Sequence, residues 1–134
     1  MATILRFEDL DIWQSARQLA HEVFDAYNNS EQFCRDFKLK EQINASSGSV
    51  MDNIAEGFER SSRNEFVNFL SIAKGSCGEV RSQLYRALDR NYISQELFNS
   101  LKDRTEALAG KIGAFINYLN GSSYKGNKFK NRVN

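Results

Sequence analysis

The sequence predicts an all-α fold, an antiparallel up-and-down bundle of four helices. Three observations lead to this prediction. Four segments carry apolar residues at spacings of three and four, and none shows a sustained alternation with period two. The 134 residues include no proline, so the usual helix breaker is missing. The links between the segments are short, which favours antiparallel packing of consecutive helices.

The first predicted helix runs from about Leu10 to Tyr27. Asp9 and Asp11 lie where acidic residues favour a helix start, and the run Asn28-Asn29-Ser30 ends the helix. Its predicted core face contains Ile12, Trp13, Ala16, Leu19, Ala20, Val23, Phe24 and Tyr27.

The second predicted helix runs from about Asp36 to Glu56. Its core residues follow spacings of four, four, three and four, and they are Leu39, Ile43, Ser47, Val50 and Ile54. Gly57 is predicted to end this helix as a left-handed cap, with Phe58 packing back on the helix.

The third predicted helix runs from about Arg63 to Asn91. Ser62 and Glu65 form the S-x-x-E pattern of a capping box, in which each side chain satisfies a free backbone N–H group of the other residue. The predicted core face contains Phe66, Phe69, Leu70, Ala73, Cys77, Val80, Leu84, Ala87 and Leu88.

The fourth predicted helix starts at Ser94 and ends at Asn120, before Gly121. Its core face contains Leu97, Phe98, Leu101, Leu108, Ile112, Phe115, Ile116 and Leu119. The four helices define one domain over residues 1–120, and residues 121–134 form a separate basic C-terminal tail.

The net charge of +1 conceals a difference between these two parts. The tail has a balance of +4 and no acidic residue, whereas residues 1–120 have a balance of −3. No signal peptide is apparent, and no apolar run approaches the ~20 residues that cross a bilayer. Two cysteines, interpreted as buried thiols, are too few for a disulfide framework. These features favour a cytoplasmic protein without a membrane partner.

The common catalytic groups are missing from the sequence, so we expect no enzymatic activity, no metal and no cofactor. One histidine cannot supply the paired Glu-x-x-His motifs of a di-iron bundle, and His21 is predicted on the surface. With two cysteines the chain also has no zinc-binding spacing. A Cys–His nucleophile is disfavoured, because Cys77 lies on a core face and Cys34 is placed in a loop.

Three glycines lie inside predicted helices, where each costs roughly 1 kcal/mol relative to alanine. Gly75 and Gly78 share a stripe with Ser71 and Ser82 on the outer face of the third helix, and Gly48 lies on the outer face of the second. Small residues allow another backbone to approach closely, so these five residues are candidate subunit contacts. The alternative is sequence drift on a solvent-facing surface.

Two blocks of the sequence resemble a known family. The first is Asn53-Ile54-Ala55-Glu56-Gly57 followed by Arg60. The second is the run 69–76, which includes Gly75, followed by Glu79. They are similar to the signatures of bacterial four-helix-bundle proteins first noticed in intervening sequences of the large ribosomal RNA gene. Over about residues 7–120, the resemblance implies a four-helix bundle that forms a homopentamer.

The family is also similar to the accessory protein of diversity-generating retroelements, a pentameric barrel that binds nucleic acid and a reverse transcriptase. The resemblance therefore implies RNA or DNA, and a protein such as a reverse transcriptase, as partners. Two departures weaken this analogy: no basic pair follows Gln42-Ile43, and the usual proline before Asn53 is absent. The signature residues themselves are interpreted as a polar staple at the turn between the second and third helices, with a ligand or partner site as the alternative.

Two basic regions are candidates for nucleic-acid binding. The tail interleaves aromatic and basic residues, which can stack on bases and neutralise phosphates, and these are Tyr124, Lys125, Lys128, Phe129, Lys130 and Arg132. The second region is one flank of the third helix, with Arg63, Lys74 and Arg81. The predicted function is a non-enzymatic oligomeric module that binds nucleic acid. The alternative function is a protein-interaction scaffold that does not bind nucleic acid. The alternative for the tail is a segment that only aids solubility, and the alternative for the flank is ordinary solvated surface.

Overall fold

A computed structural model describes residues 4–121 of the chain. These residues form a short 3-10 turn and five α-helices, and no strand occurs among them. The turn spans Phe7–Asp9, and the helices are α1 (Asp11–Asn28), α2 (Glu31–Arg35), α3 (Phe37–Glu59), α4 (Arg63–Asp89) and α5 (Gln95–Asn120). The predicted all-α class is confirmed.

The four long helices pack around one core. α3 contacts α1 and α4, while α5 contacts α4 and α1, so each long helix has two long neighbours. The core contains apolar residues from all four, and it includes four phenylalanines, Phe33, Phe58, Phe66 and Phe98. Because the apolar stripes converge on this core, the outer faces of the helices remain available for other contacts.

The order of the contacts shows how neighbouring helices run. Across α3 and α4, Gln42 contacts Arg86 and Ser49 contacts Ser76, so residues later in α3 meet residues earlier in α4. The ion pairs between α1 and α5 follow the same rule, and they are Asp11 with Lys111 and Glu22 with Arg104. Neighbouring helices in both pairs are therefore antiparallel.

Side-chain oxygens cap the starts of four helices. Each accepts a hydrogen bond from the backbone N–H three residues later, which satisfies a donor that the first helical turn leaves free. The caps are Ser30, Asp36, Ser62 and Ser94, at α2, α3, α4 and α5. Ser62 caps α4 as the predicted capping box requires, but the Glu65 carboxylate accepts from Arg60 and not from the Ser62 backbone N–H, so only half of the box is formed.

The link after α1 and the end of α3 differ from the sequence prediction. The link between the first two long helices contains α2, so Cys34 lies in a short helix and not in a loop. α3 continues to Glu59, so Gly57 lies inside the helix and is not its left-handed cap. The prediction treated glycine as a stop signal, but Gly57 is needed for packing, as described below.

α4 ends at Asp89, two residues earlier than predicted. Asn91 has a positive φ of 60°. The backbone N–H of Tyr92 donates to the Ala87 carbonyl, and that of Asn91 donates to the Leu88 carbonyl. This is a Schellman termination, in which asparagine takes the left-handed conformation that glycine more often supplies.

Most predicted core residues are buried, several are partly buried, and two are exposed. Phe24 and Leu97 are 45% and 36% exposed. Phe24 lies at the edge of the apolar stripe, where its ring packs edge-on against the buried Tyr27. Leu97 lies in the first turn of α5, close to the end of the core. The prediction was wrong for both because a spacing pattern does not show where the stripe ends.

Asp36 ties the start of α3 to the α4–α5 link. Its Oδ1 accepts from the backbone N–H of Leu39, while its Oδ2 accepts from the Tyr92 hydroxyl at 2.8 Å and from Arg90 Nη1 at 2.9 Å. The hydrogen bond from Tyr92, the cap bond and the charge of Arg90 lower the pKa of the Asp36 carboxyl from its ordinary value of 3.8.

We predict that Asp36→Ala lowers the free energy of unfolding by about 2 kcal/mol at neutral pH, because it removes a helix cap and two cross-link hydrogen bonds. The folded-state pKa is lowered, so this stabilisation is present above pH 3.8 and is lost as the pH falls through the folded-state value. In urea unfolding, the free energies of the variant and the wild type should converge as the pH falls below the folded-state pKa of Asp36. Glu41→Ala, an exposed carboxylate on the same helix, is the control, and an equal loss there would contradict the assignment.

Candidate functional site

The family-like residues at the α3–α4 turn form a connected cluster around Arg60. Arg60 Nη2 donates to Glu56 at 2.8 Å, and Nη1 donates to Glu65 at 3.4 Å. The guanidinium also lies 4.9 Å from the centre of the Phe69 ring, a cation–π geometry. Arg60 therefore joins the last turn of α3 to the first turns of α4, which is the geometry expected of the predicted polar staple.

Gly57 packs directly against Phe66 and Phe69 of α4. A Cβ added at Gly57 would lie 2.7 Å from Phe69 Cβ and 2.8 Å from Phe66 Cδ1, and both distances are too short for real atoms. Phe66 cannot easily yield, because its ring packs edge-on against the rings of Phe58 and Phe115. The position requires glycine because any side chain would push α3 away from α4.

Further from the turn, α3 and α4 are joined by buried and partly buried polar groups that we call the polar seam: Ser46, Ser49, Asn53, Ser76 and Gln83. Ser46 donates to Gln83 Oε1, Ser76 donates to Ser49 Oγ at 3.0 Å, and Asn53 Nδ2 donates to Ser49 Oγ at 2.9 Å. Ser46, Ser76 and Gln83 are each less than a tenth exposed. The seam fixes the register of α3 against α4, since a shift would leave these groups buried without partners.

Most of the polar seam was not predicted from the sequence. Ser47 was expected in the core and Asn53 at the turn, whereas Ser46, Ser49 and Gln83 had no predicted role. A signal was present, because serines at 46 and 49 repeat at helical spacing beside the apolar stripe. Their partners on α4 could not be identified from spacing alone.

The predicted subunit contacts lie on the outside of α3 and α4, and we call them the glycine face: Gly48, Ser71, Gly75, Gly78 and Ser82. A Cβ added at any of the three glycines would meet no atom within 4 Å. Ser71, Gly75 and Ser82 are exposed, and Gly48 and Gly78 are partly so. Ile72, beside this face, is 52% exposed. Nothing within the described chain explains why these positions are small.

The three basic residues predicted on one flank of α4 do not form a compact cluster. They span 18 residues, which is roughly 27 Å of helix. Arg81 forms an ion pair with Glu106 of α5 at 3.7 Å, and Glu106 also pairs with Lys102. The end of the Lys74 side chain lies against α5 beside Gly113. Arg63 is partly buried at the start of α4. The flank thus faces the groove between α4 and α5, and its charge is partly neutralised.

The remaining candidates for nucleic-acid binding lie in the tail, outside the described residues 4–121. They are Tyr124, Lys125, Lys128, Phe129, Lys130 and Arg132. Glu79, the last residue of the second signature block, is exposed on α4 next to the polar seam.

The thiols and the imidazole are far from a catalytic arrangement. Cys77 is buried as predicted, and its burial raises the pKa of the thiol to about 11, so the thiol stays protonated at neutral pH. Cys34 is partly buried, with Lys40 Nζ 3.9 Å from its sulfur. His21 is exposed on α1, as predicted, with Asp25 at 3.5 Å.

Residues 4–121 contain neither a candidate metal site nor a candidate membrane-spanning helix. In that range, no cluster of three or more His, Cys, Asp or Glu side chains is placed to hold a metal ion. None of the helices described there is both long enough and apolar enough to span a membrane.

We predict that Gly57→Ala lowers the free energy of unfolding by about 1–3 kcal/mol, because overpacking exceeds the gain in helix propensity. The matched control is Gly110→Ala, on the exposed face of α5, where an added Cβ meets no atom within 4 Å. That substitution should stabilise the protein by up to about 1 kcal/mol. Thermal or urea unfolding of both variants checks the pair, and stabilisation by Gly57→Ala would contradict the close approach.

The chain resembles known proteins both in sequence and in structure. Residues 8–114 match the family model of the 23S rRNA-intervening sequence protein. The chain is also similar to a solved structure from Bacteroides thetaiotaomicron, a protein with unknown function from the S23 ribosomal protein family. The two share 25% sequence identity over 78% of this chain and 97% of that chain, with a TM-score of 0.73. No curated protein gives a significant match.

Proposed function

Because the chain belongs to the 23S rRNA-intervening sequence protein family, we propose that it is a non-enzymatic module that associates with itself and binds RNA or DNA. In this proposal the four long helices form a four-helix bundle, and the bundles assemble as a homopentamer. The pairwise packing of α1, α3, α4 and α5 supports the bundle. The pentamer rests on the family resemblance.

The observation that carries the proposal is the open space over the three glycines of the glycine face. Together they cost roughly 3 kcal/mol of helix propensity relative to alanine. Their positions are not required inside the subunit, unlike that of Gly57. A second backbone packed closely on α3 and α4 would offset the cost and would also cover the exposed Ile72.

The absence of enzymatic activity is part of the proposal. The buried Cys77 thiol has a raised pKa and no access to a substrate. His21 and Cys34 lie on different helices, and the contacts that are present, to Asp25 and Lys40, do not form a nucleophile–base pair. The function therefore depends on surfaces, and no cofactor is proposed.

Nucleic-acid binding is proposed to depend mainly on the tail. Its four cations have no acidic neighbours in sequence, whereas Arg81 on the α4 flank already pairs with Glu106. Assembly would place several tails on one particle, and tethering would raise the effective concentration of each successive tail. A reverse transcriptase as a protein partner is suggested by the family resemblance alone.

The alternative is a protein-interaction scaffold that does not bind nucleic acid. It is favoured by the balance of −3 over residues 1–120 and by the ion pairing on the α4 flank. In that case the repeated surface of the oligomer would present one site several times.

We predict that Gly75→Leu or Gly78→Leu weakens the oligomer while helicity is largely kept, because the new side chains occupy space reserved for a second copy. Light scattering at micromolar concentration checks this, with a wild-type mass near five chains expected. Gly110→Leu, at an equally open position on α5, is the matched control and should leave the mass unchanged. A wild-type mass near 15.3 kDa, that of one chain, would contradict the association.

We predict that deletion of residues 122–134 weakens binding of a single-stranded RNA and lowers its salt dependence by up to about 3 in log–log slope, since four cations are lost. Gly121 is kept because it ends α5. Fluorescence anisotropy at two salt concentrations measures both effects. Lys74→Gln on the α4 flank is the control and should change binding less. If the deletion binds with unchanged affinity and slope, the tail is not the contact.

A further inference from the structure

An apolar groove of about 370 Å³ lies between the start of α1 and the last three turns of α5. The buried Leu10 and Ile12 line one side. Phe115 and Tyr118 line the other, with their rings stacked at 6.1 Å and 12°, beside the exposed Ala114. We call this surface the α1–α5 groove. It is a concave and mainly apolar surface between two helices.

The groove lies where the tail leaves the helices. Tyr118 is three residues before Gly121, and 13 further residues follow in the sequence. An extended chain of that length reaches roughly 40 Å, whereas the α5 wall of the groove, from Lys111 to Tyr118, spans only about 10 Å. A single reversal of the chain after α5 is enough to bring the tail back over the groove.

The chemistry of the tail matches this surface. Tyr124 and Phe129 are aromatic residues, whose rings suit an apolar groove, and the four tail cations suit an acidic region. The start of α1 has three exposed carboxylates, and the positive residues beside them are Arg6 and Lys111, which pair with Asp9 and Asp11. Three carboxylates and two cations leave a net charge of −1 at the start of α1. Residues 112–121 contain no charged group that would oppose the tail.

We propose that residues 122–134 dock in the α1–α5 groove of their own chain, with Tyr124 and Phe129 against Phe115 and Tyr118. The consequence rests on the proposed function: nucleic acid and the groove compete for the same tail, so the groove holds the tail back from its ligand. Binding of nucleic acid to the tail then uncovers an apolar surface next to α5.

The experiment is site-specific photocross-linking in the full chain, with p-benzoylphenylalanine in place of the exposed Ala114. An equal mixture of isotopically light and heavy chains separates intrachain from interchain products in the mass spectrum. We expect intrachain cross-links from position 114 to residues 122–134. The same photoreactive residue at the exposed His21, ten residues further along α1 than Asp11, is the control and should give no tail product.

Replacing both Tyr124 and Phe129 with serine should reduce the cross-link yield roughly ten-fold, because the apolar area that drives docking is lost. The proposal is overturned if position 114 gives no tail product, if the tail products are interchain, if residues 1–3 are captured instead, or if the double variant cross-links as well as the wild type.

A single-stranded RNA added before irradiation separates this proposal from the proposed function. If both hold, the RNA lowers the intrachain yield. If the yield is high and the RNA leaves it unchanged, the tail docks in the groove but does not bind RNA, and only the competition fails.

Discussion

At the α3–α4 turn, Phe66 and Phe69 lie so close to the backbone of Gly57 that no side chain fits between them. This contact sets the distance between the two helices. With that distance fixed, Arg60 can reach both Glu56 and Glu65, and the serines of the polar seam can meet across the interface. The register of α3 against α4 in turn decides which residues point outward, and so defines the glycine face.

The sequence predicted the helical class and most of the core because the period of an α-helix determines which residues share a face, and that period is visible in the spacing of apolar residues. Ser62 and Asn120 were also placed at the correct boundaries. The errors occurred where tertiary contacts override local preference. Gly57 was interpreted as a stop signal, although it lies inside α3 against Phe66 and Phe69, and Asn91 was placed in a helix that it terminates.

The candidate site was predictable to a smaller extent. The glycines of the outer face could be recognised because each is unfavourable in a helix, and their open surroundings agree with that interpretation. The polar seam and the α1–α5 groove could not be found from one sequence, because each depends on residues of two helices that only packing brings together. The basic residues on the α4 flank were a poor guide to a nucleic-acid site, because Arg81 forms an ion pair with Glu106 of α5.

If a second copy of the chain covers the glycine face, it protects Ile72 from solvent. Hydroxyl-radical footprinting measures this protection as a lower rate of oxidation of Ile72. Ile72 is 52% exposed in the isolated chain, and Phe24, at 45% on α1, provides an internal reference on a helix outside the glycine face. With a second copy in place, we expect Ile72 in the wild type to be oxidised much less than Phe24 after correction for intrinsic reactivity. We also expect this protection to disappear on dilution. Oxidation of Ile72 in proportion to its exposure, at every concentration, would contradict the account.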